Sequence, residues 1–197
     1  MLLRSVAALA ATLIGMGSVG AAPLSYSEAV SGDLPTFTVA PLGALDAGLN
    51  TIQGRTCFTA DESCQWGDFD SFRFTLSPGL IVQSISLEFT TTLLPGSSWA
   101  RTGFELREFE PDLLLDSANF NVLGPTGSVA PFGSDLWLID PGQFAIEQRS
   151  LERSGPGWFA DYTWNIQVGQ VPEPSSLALL VLGLAGLGFT LRRRAVS

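Results

Sequence analysis

Between residues 35 and 170, apolar side chains recur at every second position over short runs, and the runs are separated by glycine, proline, aspartate and serine. A period of two marks an extended strand, whose side chains point alternately to opposite faces. Residues 35–41, 70–76, 81–90, 102–109, 135–139, 143–149 and 161–168 all read as strands. Phe72, Phe74 and Leu76 are expected in a core, with Arg73 and Thr75 toward water. Ser77-Pro78-Gly79 turns the chain. The next strand then places Ile81, Gln83, Ile85 and Leu87 on one phase and Val82, Ser84, Ser86 and Glu88 on the other. No long run of helical period interrupts this pattern. Seven or so short strands with frequent turn signals predict an all-β fold, an antiparallel jelly-roll-like β-sandwich.

Both ends of the chain break the pattern. Residues 177–191 form an uncharged apolar run containing Gly183, Gly186 and Gly188. As a helix at about 1.5 Å per residue it spans roughly 22 Å, short of a bilayer core of about 30 Å. Ser175 and Ser176 can lengthen it, and Arg192, Arg193 and Arg194 can snorkel to the headgroups and hold the tail on the cytoplasmic side. A marginal transmembrane helix is predicted, easily extracted. At the other end, Arg4 precedes an apolar stretch from Val6 to Met16 and then small residues, the plan of a secretory signal peptide cut after Ala21. Three regions follow: a signal peptide at 1–21, a sandwich ectodomain at 22–171 and a C-terminal segment at 172–197.

A membrane span does not require Pro172-Glu173-Pro174. Proline fixes φ and disfavours helix in the residue before it, so the triplet holds an extended, exposed segment at the membrane edge, where a protease can reach it. Pro-Glu-Pro, a short glycine-bearing apolar helix and an arginine cluster, in that order, resemble the PEP-CTERM sorting signal of Gram-negative bacteria. That resemblance implies export through the Sec machinery and signal peptidase, transient anchoring in the inner membrane, and cleavage by an exosortase. Release to the cell surface or extracellular matrix then follows, commonly beside exopolysaccharide production.

Removing the targeting segments changes the charge. Residues 22–171 hold six arginines against 18 acidic residues, a formal charge of −12 where the whole chain has −9. Such a surface repels nucleic acid, so no nucleic-acid partner is expected. The chain has no histidine, and all ten of its basic residues are arginine. Histidine-dependent nucleophile pairs, imidazole metal sites and Schiff-base catalysis are thereby removed, and carboxylate chemistry remains. No cofactor is expected.

Cys57 and Cys64 frame a short loop in an oxidising compartment and are expected to form a disulfide. Asp61, Glu62, Asp68 and Asp70 surround that loop. Carboxylates can hold calcium, but no EF-hand spacing is present and charged loops are usually just solvated, so no metal site is assigned. Asp68 and Asp70, two apart at a strand start and therefore on one face, are the weak calcium candidates. Of the five tryptophans, Trp164 shares the phase of Tyr162 and Ile166 and is expected in the core. Trp99 and Trp158 flank glycine-rich turns and are the candidates for an exposed sugar-binding platform.

The order Tyr-Ser-Glu-Ala-Val-Ser-Gly-Asp-Leu-Pro, then Asp-x-Asp-x-Phe-x-Phe-x-Leu with a Pro-Gly turn, then a closing aromatic strand, resembles secreted bacterial sandwich domains of the pre-peptidase C-terminal type. That resemblance implies adhesion to polymers and supplies no catalytic residues. The expectation is an exported, exosortase-processed surface or matrix protein, non-enzymatic and associated with exopolysaccharide. The alternatives are a carbohydrate-binding module and a glycan-acting hydrolase using paired carboxylates.

Overall fold

The computed structural model describes residues 22–36, 38–60, 64, 67–121, 126–132 and 141–171. The expected signal peptide, strand 135–139, Pro172-Glu173-Pro174, the apolar helix and the arginine cluster lie outside them. Among the described residues no helix is long and apolar enough to cross a membrane.

The described residues form ten strands and one helical turn, in the order β1 (Ser25–Ser27), α1 (Glu28–Ser31), β2 (Ala40–Leu45), β3 (Gly48–Thr59), β4 (Ser71–Leu76), β5 (Leu80–Leu93), β6 (Ala100–Glu108), β7 (Leu113–Asn121), β8 (Gly127–Val129), β9 (Gly142–Arg153) and β10 (Gly157–Gln170). They make two five-stranded sheets, ordered β1-β3-β10-β5-β8 and β2-β4-β9-β6-β7. The all-β sandwich agrees with the alternating pattern. The purely antiparallel, jelly-roll-like expectation gives way to mixed sheets, because β1 runs parallel to β3 and β2 parallel to β4. Alternation reports which face a residue occupies and is silent on the direction of the neighbouring strand.

Inward residues of both sheets form one core, with Trp164 at its centre. Its indole meets Phe104 edge-on at 4.9 Å between centroids, Phe72 at 6.2 Å, and the parallel ring of Phe132 at 6.0 Å. Phe72 and Phe104 belong to the opposite sheet, so these rings join the two layers. Each large apolar side chain buried in this way stabilises the fold by roughly 1.5–3 kcal/mol. Phe72, Phe74 and Leu76 are buried as expected. Strand β5 departs from simple alternation. Gln167 pairs with Ser84 and the next residue, Val168, pairs with Val82, so Gln83 bulges out. Val82, expected on the opposite phase to Ile85 and Leu87, is consequently buried with them while Gln83 is exposed.

The N-terminal segment is tied down by polar contacts. Asn50, fully buried on β3, accepts the Leu24 N–H at 2.7 Å and donates to the Asp46 carbonyl at 2.9 Å. Leu34, just past α1, inserts into the core. Residues 22–34 therefore form a flap against β3, close to the start of β4.

Candidate functional site

Three carboxylates meet beneath this flap. Glu28 opens α1, Asp33 follows the turn's end at Gly32, whose φ of 95° suits glycine, and Asp70 precedes β4. One carboxylate oxygen from each lies within 4.8 Å of the other two. Glu28 is oriented by two backbone donors, the Leu34 N–H to Oε1 at 3.0 Å and the Arg55 N–H to Oε2 at 2.7 Å. Space for its carboxyl exists because the inward position opposite it is Gly54.

Asp70 is placed by its backbone, whose N–H donates to Gln148 Oε1 at 3.0 Å. Gln148 is itself buried and donates to Thr102 Oγ1 at 2.7 Å in the second sheet, while Thr56 Oγ1 of β3 donates to the Asp68 carbonyl at 2.6 Å, so both sheets hold this segment. The disulfide Cys57–Cys64 is present, and the Asp68 N–H returns to the Cys57 carbonyl at 2.9 Å. The bridged loop thus delivers residues 67–70 beside β3. Asp70 is 2% exposed, and neither of its carboxylate oxygens has a hydrogen-bond partner. The Tyr162 hydroxyl lies beside Asp70 and opposes the rise in its pKa, and it donates to Glu28 Oε1 at 3.5 Å.

The electrostatics follow from burial and from like charge. Burial first, then Asp68 and Glu28, push the Asp70 carboxyl up to about 9. Asp68 rises to about 6 through burial and Asp33, opposed by the hydrogen bond from Thr36 Oγ1 at 3.2 Å. Glu28 is raised by burial against its two backbone donors, and Tyr162 is raised by burial and by Asp70. Among the described residues no cation offsets these charges: the Arg55 guanidinium turns outward to Asp161, with contacts of 2.7 and 3.1 Å.

Of the acidic residues singled out in the sequence, Asp68 and Asp70 are close enough to couple, while Asp61 and Glu62 lie outside the described residues. Glu28 and Asp33 were missed. Their spacing matches no metal loop, and only tertiary folding carries them to Asp70.

A second feature lies on the outer face of the first sheet, a groove of about 640 Å³ between α1 and Thr126. Its floor is built of cross-strand rows: Arg55, Asp161 and Thr90, then Gln53, Thr163 and Glu88. Asn165, one row further, donates to Glu88 Oε1 at 3.2 Å. These are amide, hydroxyl and carboxylate groups on a surface of regular spacing.

The tryptophan candidates separate. Trp158 is the second residue of β10, 0% exposed, with its indole N–H donated to the Glu152 carbonyl at 3.0 Å, so the expectation of an exposed platform there is corrected. The Gly-Pro-Gly turn ends one residue before it, and the side chain falls on the inward phase. Trp99 is 39% exposed and does not line the groove.

A family model, the PEP-CTERM protein-sorting motif, matches residues 170–194. The chain therefore carries the address of an exported protein that is sorted to the surface, with an exosortase as its processing partner. No curated protein matches the chain. Among solved structures, a chain described as "CBM4 structure and function" is similar at 11% identity and a TM-score of 0.30, covering 62% of this chain and 82% of its own. That similarity is too low to carry a fold or a ligand across.

Proposed function

We propose that this is a non-enzymatic surface or matrix protein whose sandwich, once released by the exosortase, binds exopolysaccharide through the outer groove. The groove is the observation that carries the reading. Gln53, Glu88, Thr90, Asp161 and Thr163 line it, and they are groups that exchange hydrogen bonds with sugar hydroxyls at little cost in rearrangement, since strands hold them in place. The sorting motif supports an extracellular setting. The absence of histidine and lysine favours binding over chemistry.

The test is equilibrium binding of the mature domain to the producer's own exopolysaccharide. Saturable binding, weakened at least tenfold by Gln53→Ala combined with Thr163→Ala, is expected, with no new reducing ends formed. Unchanged binding in that double variant would place the ligand elsewhere. Turnover abolished by a single carboxylate change would make the protein a hydrolase.

A further inference from the structure

We propose that Glu28, Asp33 and Asp70 form a calcium site that fastens the N-terminal flap to the start of β4. Glu28 also borders the groove, but Asp33 and Asp70 do not line it, so the proposal stands apart from the glycan reading at those two positions.

Three observations converge. The first is proximity, with carboxylate oxygens from two segments far apart in sequence gathered within 4.8 Å. Such like charges repel unless something positive lies between them. The second is the state of Asp70, 98% buried by its 2% exposure, aimed into the cluster and with both oxygens unpartnered. Buried polar groups in folded proteins are nearly always satisfied, and an unpaired carboxyl is costly there. Protonation answers this only in part: an O–H on Asp70 has the Glu28 and Asp33 carboxylates nearby as acceptors, but the second oxygen stays without a partner. A cation satisfies both oxygens together. The third is that, among the described residues, Arg55, whose backbone N–H meets Glu28, commits its guanidinium to Asp161 and not to the cluster.

The donor set selects the metal. All three ligands are hard oxygens, with no sulfur or imidazole, which suits calcium or magnesium and disfavours zinc and copper. They come from a one-turn helix, a loop and a strand start, an irregular set that calcium accommodates better than magnesium, which demands near-ideal octahedral geometry. The backbone donors to Glu28 from Leu34 and Arg55 orient that ligand. Asp68 and the Tyr162 and Tyr26 hydroxyls are the remaining titratable groups around Asp70 and Glu28. Asp68 adds negative potential, and its carboxylate is held by Thr36. Extracellular calcium modules typically bind with Kd of about 10⁻⁴–10⁻³ M, the range expected here.

The test uses the full mature domain stripped with EDTA. Terbium, which substitutes for calcium, should show saturable luminescence sensitised by Tyr162 and neighbouring tryptophans, displaced by calcium. Asp33→Asn, an exposed position where folding is not at stake, and Asp70→Asn, a near-isosteric change, should each weaken binding at least tenfold. Circular dichroism confirms that both remain folded. Calcium should also slow amide exchange in residues 24–34. Absence of saturable binding, or binding unchanged in both folded variants, would overturn the site. Magnesium displacing terbium as effectively as calcium would overturn the choice of metal.

Discussion

Gly54 and Glu28 face one another with no room for a methyl group between them: a Cβ on Gly54 would lie 2.6 Å from Glu28 Cδ and 2.4 Å from the Tyr162 hydroxyl oxygen. The closeness of the flap to β3 depends on that missing side chain. Gly54→Ala should therefore push Glu28 outward and destabilise the domain by about 1–3 kcal/mol, as overpacking does elsewhere. Urea denaturation measures this, and a midpoint equal to wild type would mean that the flap does not press on β3.

The acid–base behaviour of the flap has a definite sign. Asp70 is raised from 3.8 to about 9 and Asp68 from 3.8 to about 6. The folded state therefore holds more protons than the unfolded chain between those values. Their contribution to stability is fully present below about pH 4. It is lost as pH rises, through about 6 for Asp68 and about 9 for Asp70. In EDTA, Tm should fall across that window, and Asp70→Asn should flatten its upper half. A Tm that rises between pH 6 and 9, in EDTA and unaltered by Asp70→Asn, would contradict the assignment.

Removing the Cys57–Cys64 bridge lengthens the accessible unfolded chain by freeing a loop with a sequence separation of 7. Loop-closure entropy sets the expected loss at about 2–3 kcal/mol for the double Cys→Ser variant. The effect should be concentrated on residues 67–70, whose position the bridge determines, and amide exchange at Asp68 should accelerate. Thiol labelling of the secreted protein without reductant should be negative.

The two tryptophans at glycine-rich turns should respond oppositely. Trp158→Ala removes a fully buried indole and its part-buried hydrogen bond to Glu152, and about 3–5 kcal/mol of stability should be lost. Trp99→Ala, at a partly exposed loop position, should cost about 1 kcal/mol or less. Thermal denaturation distinguishes them, and equal losses would place Trp99 in the core as well.

How much of this was legible in the sequence depends on the range of the interactions involved. Phe72, Phe74 and Leu76 announced their burial through period alone, because a strand's two faces are a local property. Val82 did not, because the Gln83 bulge that turns it inward is set by pairing with β10, more than 80 residues later in the chain. β3 and β7 were passed over because threonine, glutamine, glycine and asparagine in the first, and aspartate, serine and asparagine in the second, dilute their apolar residues. At the acidic pocket, Asp68 and Asp70 stood out through their spacing. Glu28 and Asp33 sat in a stretch that reads as an ordinary polar turn, and nothing local links them to β4. The disulfide was readable because its two partners are close in sequence.

One arrangement within the first sheet has mechanical consequences. β10 lies between β3 and β5, laddered to β3 from Gly157 to Val168 and to β5 from Trp158 to Gln170. The sorting motif begins at residue 170, and the Val171 N–H still reaches back to the Gly79 carbonyl at 2.9 Å. Any pull transmitted through the sorting segment therefore enters the domain along the axis of its most doubly held strand. Antiparallel hydrogen bonds lie across that axis, so the load is shared in shear by two ladders at once. An edge strand would peel, one bond after another. The sandwich is thus mounted to meet such a pull with its central strand and not with an edge.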